Sequence, residues 1–226
     1  MRIIIISILV SGSIFAQGFL HNMDGEVVDG NGEPILLRGF GLGGWLVPEG
    51  YMLHNQAWIE GFESPTDIEN HVIDLIGQDE ANEFWELYRA NYVAQADIDK
   101  IAEWGFNHIR VPFHYKQFYD STGTETPIGY AIVDELITWC QPHNIYIILD
   151  MHCAPGAQNG GPISDSDGIA RLWLEDSYKE LTIQIWKEIA TYYADHTLIA
   201  GYDLINEPVL PSGVSLEEFK QLYVDI

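Results

Sequence analysis

The order of apolar and polar positions along the chain predicts strands that alternate with helices. The segments EVV and ILLR, on either side of the turn Asp29–Pro34, predict a β-hairpin over Glu26–Gly39. Two amphipathic helices with acidic residues near their starts are predicted next, over 66–76 and 79–91. The remaining predicted elements are helix 94–104, strand 108–112, helix 129–143, strand 145–151, helix 178–193, strand 198–205 and a helix from Leu216 onward.

The later strands are apolar on both faces and each is followed by a helix, which predicts a parallel sheet covered by helices. Both the eight-stranded barrel and the open doubly wound sheet have this order, with polar residues at the C-terminal ends of their strands. The long loop Cys153–Asp176 favours the barrel. With the strand inside the hairpin, the chain holds about four of the eight strand-helix units of a whole barrel. We therefore predict an α/β fold that is the N-terminal half of a (β/α)8 TIM barrel, preceded by a β-hairpin.

The beginning of the chain, MRIIIISILVSGSIFA, has one basic residue, an apolar run and small residues before Gln17. This order is typical of a cleavable export signal, so residues 1–16 are set apart from a domain at 17–226. A buried first strand is the alternative. The run is too short for a transmembrane helix, which needs ~20 apolar residues. We expect a secreted protein, either extracellular or periplasmic.

The chain is strongly acidic, because 34 Asp and Glu residues against 10 Lys and Arg residues give a formal net charge of -24. Nucleic acids and anionic membranes bind through clusters of Lys and Arg, so the composition excludes both as partners. A neutral ligand meets no such repulsion. Solubility or a saline habitat explains the acidity at least as well as any functional reason.

Two patterns that are similar to known sites lack a necessary part. The run GFGLGG, Gly39–Gly44, has the spacing of a dinucleotide-binding loop, but Trp45–Pro48 follows it without a helix start. These glycines fit a sharp turn and close packing instead. Cys140 and Cys153 have the spacing of neither a disulfide framework nor a zinc site, so we expect both to be free and mostly buried. We predict no cofactor.

In FNHIRVPFHY, Arg110 lies within an apolar strand that Pro112 ends. A buried guanidinium needs acceptors, which are supplied either by a core ion pair or by a catalytic carboxylate that it keeps ionised. Both alternatives make Arg110 a candidate site residue. His108 and His114 fit solvent or packing positions better than metal ligation, and His114 is kept as a candidate substrate-binding residue.

The stretch IILDMHCAPGAQNG ends a predicted strand with Asp150 and His152, two residues apart and therefore on one face. A metal site normally requires three converging ligands, and neither HxH nor HExxH accompanies this pair. We expect no metal here. His152 is predicted to donate hydrogen bonds to substrate or to a carboxylate, and Asp150 to orient its neighbours.

The apolar run GYDLINEPVL is interrupted by Asn206, Glu207 and Pro208. A glutamate in a partly apolar cleft has a raised pKa, so it can carry a proton at neutral pH and pass it to a leaving oxygen. An asparagine beside it can bind a sugar hydroxyl. Taken alone, the tripeptide fits equally well a glutamate that caps or pairs at a strand end.

Four stretches occur in the order and spacing that resembles glycoside hydrolase family 5 (cellulase family A): LRGFGLGGWLVPEG, GFNHIRVP, LDMHCAPGAQNG and DLINEP. The first and third look most like the exo-β-1,3-glucanase branch, whereas bacterial endo-β-1,4-glucanases share the other two. The resemblance spans nearly everything after residue 16. It implies a (β/α)8 barrel and a retaining glycoside hydrolase that cleaves β-1,3 or β-1,4 bonds in β-glucans.

The resemblance also implies roles for single residues. Glu207, on the fourth strand, is expected to be the general acid/base, with Arg110, His152 and Asn206 around it. Glu49 falls where exo-glucanases hold the sugar at the non-reducing end.

Two tryptophans are candidates for a further contact with the substrate. Trp45 and Trp173 could stack on pyranose rings, and core packing is an equal alternative for either.

In such enzymes a second glutamate, at the end of a seventh strand, attacks the anomeric carbon from ~5 Å away. We expect it beyond Ile226, so that 17–226 is a catalytic domain cut after its fourth strand, inactive by itself, and the full-length protein is a monomer. Asp150 is not expected to replace it, because it lies too deep below His152 to leave room for water. A non-catalytic glycan-binding barrel is the competing prediction.

Overall fold

The computed structural model describes residues 18–53, 62–120 and 122–226, so the predicted export signal at 1–16 lies outside it. The strands are β1 His21–Met23, β2 Glu26–Val28, β3 Gly39–Gly41, β4 His108–His114, β5 Tyr146–Cys153 and β6 Ile199–Asp203. The helices are α1 Gly50–Leu53, α2 Pro65–Ile76, α3 Gln78–Tyr92, α4 Gln95–Glu103, α5 Ile128–Cys140, α6 Asp176–Tyr192 and α7 Leu216–Asp225. Within the described ranges, we find no helix with the length and apolar character needed to cross a membrane.

Strands β3 to β6 form one parallel sheet in the order β3, β4, β5, β6. Helix α5 follows β4, α6 follows β5 and α7 follows β6, which is the order of successive β-α units. The predicted α/β class with a parallel sheet is therefore confirmed, and the sheet fits part of a TIM barrel. Closure into a barrel, and the share of a barrel that these strands represent, stay predictions.

The two faces of the sheet differ in polarity because side chains alternate along each strand. On one face, Leu149 and Met151 of β5 are fully buried in the main hydrophobic cluster. The rings of Phe113 on β4 and Tyr202 on β6 contact Trp186 of α6, with centroids 5.7 and 5.4 Å away. The core thus lies between this face and the helices. The opposite face carries the polar residues of the candidate site.

The predicted hairpin over Glu26–Gly39 forms only around its turn, where Val28 bridges antiparallel to Pro34 and Ile35 N donates to Val27 O at 2.9 Å. Another hairpin, which was not predicted, precedes it. Strand β2 pairs antiparallel with β1, across a turn at Asp24 and Gly25 whose φ angles are 55° and 91°. An Asp-Gly pair with two positive φ angles is a preferred two-residue hairpin turn. The regular two-stranded ladder of this region therefore lies earlier in the chain than the predicted hairpin.

The segment after β2 is joined to it by a bridge between Val28 and Pro34 and does not form a regular second strand. Asp29 accepts hydrogen bonds there from the backbone N–H groups of Asn31, at 2.8 Å, and Glu33, at 3.0 Å. These bonds use donors that a strand ladder would need, and Pro34 has no N–H to donate. The first strand of the parallel sheet is β3, which follows the predicted hairpin.

The other predicted elements agree with the observed ones to within about two or three residues at their ends. Helix α2 shows why its start could be found: Ser64 Oγ accepts from Asp67 N at 3.1 Å, and Asp67 Oδ2 accepts from Ser64 N at 3.3 Å. This reciprocal pair is a capping box. A proline at the first helical position reinforces it.

The glycine run Gly39–Gly44 forms strand β3 and the turn that follows it. A Cβ atom at Gly39 would overlap the carbonyl oxygen of His108 on the neighbouring strand. At Gly44, φ is 79° and a Cβ atom would lie 2.5 Å from the hydroxyl of Tyr92. The close packing and sharp turn predicted for these glycines are confirmed.

Candidate active site

A cleft of about 450 Å³ opens where the parallel strands end. Ligands of parallel α/β folds bind at this end of the sheet, because the loops after the strands converge there. The cleft brings together five of the predicted site residues. Its lining consists of Gly41, Gly43, Glu49, Tyr51, Met52, Arg110, Pro112, His152, Ile163, Asn206 and Glu207.

Arg110, on the polar face of β4, lines the cleft and joins three acceptors. Its Nε and Nη2 atoms donate to Asp203 Oδ2 at 3.1 and 2.9 Å. Its Nη2 atom also lies 2.9 Å from Asp150 Oδ2 and 2.9 Å from Asn206 Oδ1. The sequence analysis predicts acceptors for this guanidinium without naming them. The structure shows that two carboxylates and one amide share it.

Asp150 is fully buried below the cleft and fixes the orientation of His152. Its Oδ2 atom lies 2.7 Å from His152 Nδ1. Burial raises the pKa of Asp150, whereas the hydrogen bond from His152 and the charge of Arg110 oppose that rise. Because a carboxylate only accepts, the Nδ1 atom carries the proton of this bond. The other ring nitrogen, Nε2, then presents a lone pair toward the cleft.

Asn206 lies between Arg110 and His152, and its two ends are distinguished by these neighbours. Its Oδ1 atom accepts from Arg110, and its Nδ2 atom lies 3.3 Å from His152 Nε2. The side chain is buried, with 7% of the residue exposed. One Nδ2 hydrogen points to the lone pair of His152, and the second remains for another acceptor in the cleft.

Glu207 follows Asn206 at the mouth of the cleft and is exposed. This differs from the partly apolar surroundings that the sequence predicts, because Glu207 leaves β6, an outer strand of the described sheet. Its φ angle is 43°, in the left-handed region that residues other than glycine adopt at a cost of about 1 to 3 kcal/mol. Asn159 Nδ2 donates to its backbone oxygen at 3.0 Å.

Glu49 forms the opposite, buried side of the cleft, with 3% of the residue exposed. Burial raises the pKa of its carboxyl group, and the nearby carboxylates of Glu207 and Asp150 add to the rise while the hydrogen bond from Tyr51 opposes it. Its Oε1 atom is 3.9 Å from His152 Nε2, and its Oε2 atom accepts from the Tyr51 hydroxyl at 3.4 Å. A buried carboxylate of this kind favours a ligand with several hydroxyl donors.

His114 lies in a second cavity, of about 230 Å³, beside the cleft. Its Nε2 atom is 2.9 Å from Asp165 Oδ2, and its Nδ1 atom accepts from Lys116 N at 3.1 Å. Both ring nitrogens are thus engaged by the protein, and the ring is buried. The structure favours the packing position over the substrate contact kept for His114 in the sequence analysis.

The two tryptophans predicted as possible stacking surfaces are buried, with 3% of Trp45 and 2% of Trp173 exposed. Trp45 Nε1 donates to Arg89 O, and Trp173 Nε1 donates to Gln158 O, both at 2.8 Å. A ring that stacks on a sugar needs an open face. Core packing, the alternative weighed for both residues, is therefore the role that the structure favours.

Three residues that hold this site together are not among the predicted site residues: Asp203, Gln158 and Asn159. Asp203 is the register partner of Asp150, on the adjacent strand, and binds the same arginine. An acid within the apolar run of β6 is the signal that could have revealed it. Gln158 and Asn159 lie in the loop after β5 and donate to backbone oxygens of Asn206 and Glu207.

Among the described residues, we find no group of three or more His, Cys, Asp or Glu side chains placed to hold a metal ion. Asp150 and His152 bind each other, on the same face as predicted. Cys140 and Cys153 are free and buried, as predicted. Burial raises the pKa of the Cys140 thiol to about 12, so it is unreactive at neutral pH.

The motifs and the geometry agree with a comparison against known families. A model of the cellulase family, glycosyl hydrolase family 5, matches residues 66–224. The chain belongs to this family. The matched range contains Arg110, His152, Asn206 and Glu207, whereas Glu49 precedes it. The resemblance to family 5 that the four sequence stretches indicate is therefore confirmed.

A β-xylosidase of Phanerodontia chrysosporium is 35% identical over 190 residues, which are 82% of this chain and 38% of the relative. A probable glucan 1,3-beta-glucosidase A of Aspergillus niger is 28% identical over 189 residues, 83% of this chain and 45% of the relative. The family 5 chain thus spans less than half the length of these two relatives. The crystal structure of rutinosidase from Aspergillus niger has a TM-score of 0.66 at 20% identity, covering 82% of this chain and 57% of that one. That likeness shows the fold alone.

Proposed function

We propose that the protein is a retaining glycoside hydrolase that cleaves β-glucosidic bonds, β-1,3 or β-1,4, in β-glucans. The observation that carries the proposal is Glu207 at the mouth of a cleft beside Asn206, whose amide is fixed by Arg110 and His152. The glucan 1,3-beta-glucosidase among its relatives supports a β-glucan oligosaccharide or polysaccharide as substrate.

In this proposal Glu207 is the general acid/base. It gives its proton to the glycosidic oxygen as the bond from that oxygen to the anomeric carbon breaks. In the second step its carboxylate takes a proton from the water that attacks the same carbon. The open position of Glu207 lets the leaving group and the water reach it from solvent.

The other residues of the cleft hold the sugar. The Nδ2 hydrogen that Asn206 does not give to His152 is free to bind a sugar hydroxyl. Glu49, buried at the other side, accepts hydrogen bonds from hydroxyls of the ring at the non-reducing end. These contacts suit an uncharged sugar with several hydroxyl groups.

A retaining reaction also requires a second carboxylate ~5 Å from the acid, which bonds to the anomeric carbon as the leaving oxygen departs. Asp150 and Asp203 are both held by Arg110, and Asp150 also binds His152. Because the Oδ2 atom of each acid already accepts charge-assisted hydrogen bonds, and because Asp150 is fully buried below the cleft, neither acid is a good nucleophile. We propose that the attacking glutamate lies beyond Ile226, in a protein as long as the two relatives.

The same proposal includes a complete (β/α)8 barrel, export by a signal at 1–16, and a monomeric full-length protein that needs no metal or nucleotide. The parallel sheet with its following helices and the likeness to rutinosidase support the barrel. The apolar run before Gln17 supports export.

Replacing Glu207 with Gln in the full-length protein tests the acid/base role. The change keeps the size of the side chain and removes the proton that the leaving oxygen needs. We expect hydrolysis of laminarin and cellulose oligomers to fall by at least about 100-fold, which general acid catalysis commonly contributes. The rate is measured as reducing sugar released per enzyme at neutral pH.

Glu217→Gln is a matched control, because Glu217 is an exposed glutamate of α7 whose pair with Lys220 spans 3.6 Å. It should hydrolyse the same glucans at the wild-type rate. Full activity in Glu207→Gln would refute the role given to Glu207. A wild-type protein that binds these glucans without cleaving them would instead identify a non-catalytic glycan-binding barrel.

A further inference from the structure

We infer that Gln158 and Asn159 are positioning residues that hold the backbone of Asn206 and Glu207 in its reactive conformation. The inference rests on the proposed function, because it concerns how the general acid is held. Both residues belong to the loop between β5 and α6, far from Glu207 in sequence. Neither side chain lines the cleft itself.

Gln158 joins the ends of two neighbouring strands. Its Nε2 atom donates to His152 O, near the end of β5, at 2.6 Å and to Asn206 O, after β6, at 2.9 Å. Its Oε1 atom accepts from Ala154 N at 3.0 Å, and its own backbone oxygen accepts from Val209 N at 3.1 Å. The side chain is completely buried, so these bonds have no competition from water.

Asn159 makes the same kind of contact with the next residue after β6. Its Nδ2 atom donates to Glu207 O at 3.0 Å, and its Oδ1 atom accepts from Gly161 N at 2.7 Å. Only 5% of Asn159 is exposed. Two consecutive side-chain amides therefore hold two consecutive backbone carbonyls, those of Asn206 and Glu207.

The conformation that these amides hold is one that Glu207 would not adopt freely. Its φ of 43° lies in the left-handed region, and Pro208 after it disfavours the right-handed helical region. An unrestrained Glu207 would relax toward an extended backbone, which would swing its carboxyl group away from the cleft. An acid displaced by about 1 Å can lose about 100-fold in rate.

Ser166 offers a comparison within the same loop. Its hydroxyl donates to Ile169 O at 3.2 Å and accepts from Gly168 N at 3.1 Å. It therefore helps to hold the loop together but makes no hydrogen bond to Gln158, Asn159, Asn206 or Glu207 among its described contacts. A role in loop stability alone would make Ser166 and Asn159 equivalent.

Asn159→Asp in the full-length protein tests the inference with one exchanged group. The oxygen that accepts from Gly161 N is kept, and the NH2 group that donates to Glu207 O becomes an oxygen that repels it. We measure kcat/KM, which reports the first chemical step, on cellulose oligomers and on a dinitrophenyl β-glucoside. The dinitrophenolate group leaves without a proton, so its departure does not need a well-placed acid.

We expect Asn159→Asp to lower kcat/KM on the oligomers about tenfold to 100-fold more than on the dinitrophenyl glucoside. Ser166→Ala should lower stability, measured by thermal unfolding, and change kcat/KM on both substrates by the same factor. Equal effects of Asn159→Asp on the two substrates, or none, would overturn the inference. If the aspartate variant does not fold, the same comparison on Asn159→Ala decides.

Glu207→Gln, measured beside these variants, separates the two proposals. Suppose that Glu207→Gln loses its activity on the oligomers while Asn159→Asp lowers kcat/KM equally on both substrates. The acid/base role of Glu207 then stands and the positioning role of Asn159 fails. If Glu207→Gln keeps full activity on the oligomers, both fail, because no acid at this position is then available to be positioned.

Discussion

Asp165 shows how a single half-buried acid connects distant parts of the chain. It accepts from Thr66 N at 2.8 Å and Thr66 Oγ1 at 2.7 Å, at the start of α2. His114 Nε2, at 2.9 Å, and Lys116 Nζ, at 3.2 Å, approach the same carboxylate from the end of β4. Burial opposes ionisation, but these hydrogen bonds and charges outweigh it and hold the pKa of Asp165 well below its usual range.

Asp165→Asn should therefore destabilise the protein in a pH-dependent way. The folded-state pKa is depressed, so the stabilisation is fully present above the unfolded value of ~3.9 and is lost as the pH falls further. We expect a loss of about 3 kcal/mol in the free energy of unfolding at pH 7, as for a buried pair that loses one partner. The difference from wild type should shrink below about pH 4.

Urea unfolding of both proteins between pH 3 and pH 7 checks this expectation. Asp167→Asn is the control, because Asp167 is exposed and pairs with Arg171 at the surface. It should leave the unfolding free energy almost unchanged. A constant difference between Asp165→Asn and wild type across this pH range would contradict the assignment.

At the scale of residues, the sequence identifies side chains whose chemistry is unusual for their position. Arg110, within an apolar strand, and Glu207, in Asn-Glu-Pro, were predicted as site residues for this reason. Both line the cleft. The sequence does not identify Asp203, Gln158 or Asn159 as site residues, because acids and amides near strand ends are common. Their roles depend on which strands are neighbours. The burial of Trp45 and Trp173 is decided by packing that no local pattern encodes.

At the scale of elements, helix α2 begins where its capping box dictates. Ser64→Ala removes the oxygen that accepts from Asp67 N at 3.1 Å. We expect a loss of about 1 kcal/mol in the free energy of unfolding, which is typical for an N-cap serine. Ser64→Gly should lose only ~0.3 kcal/mol, because glycine is itself a favourable N-cap residue.

Chemical denaturation of the two variants beside wild type measures the difference. Equal losses for alanine and glycine would mean that Ser64 acts through packing and not through the cap. The comparison is sensitive because Ser64 is buried, with 5% of the residue exposed, and because Thr66 two residues later holds Asp165.

Elements whose apolar residues form a clear pattern along the sequence were predictable, because burial of those residues stabilises the same strand or helix that the local sequence favours. Strands β4 and β5 coincide with apolar runs whose side chains are almost all buried or half-buried. The predicted hairpin forms only around its turn because two turn signals lie close together in this region, at Asp24-Gly25 and at Asp29–Pro34. The shorter turn forms the longer ladder, since its backbone twist matches that of paired strands.

At the scale of the whole molecule, β3 and β6 are the outer strands of the described parallel sheet. Outer strands carry backbone groups that can pair with another chain. Phe40 on β3 is 40% exposed and contacts Phe106, with ring centroids 4.6 Å apart. The edge of the sheet at β3 thus combines open backbone groups with an exposed aromatic ring.

We therefore expect the 226-residue polypeptide, produced by itself, to self-associate as its concentration rises. Sedimentation velocity over a range of concentrations measures the mass of the particles. Phe40→Lys should reduce association, because a charge on an edge strand opposes pairing. A wild-type polypeptide that stays monomeric at all concentrations would contradict this expectation.

If the cleft binds sugars as proposed, its charges should affect which sugars bind. Glu49 and Glu207 line the cleft together with Arg110, and Asp150 and Asp203 pair with that arginine. Among the described residues that line the cleft, Arg110 is the permanent cation. Two like charges 4 Å apart repel by about 4 kcal/mol near a protein surface. We therefore expect a uronic acid, whose ring bears its own carboxylate, to bind more weakly than the neutral sugar, and a sugar mimic with a protonated ring nitrogen to bind more tightly.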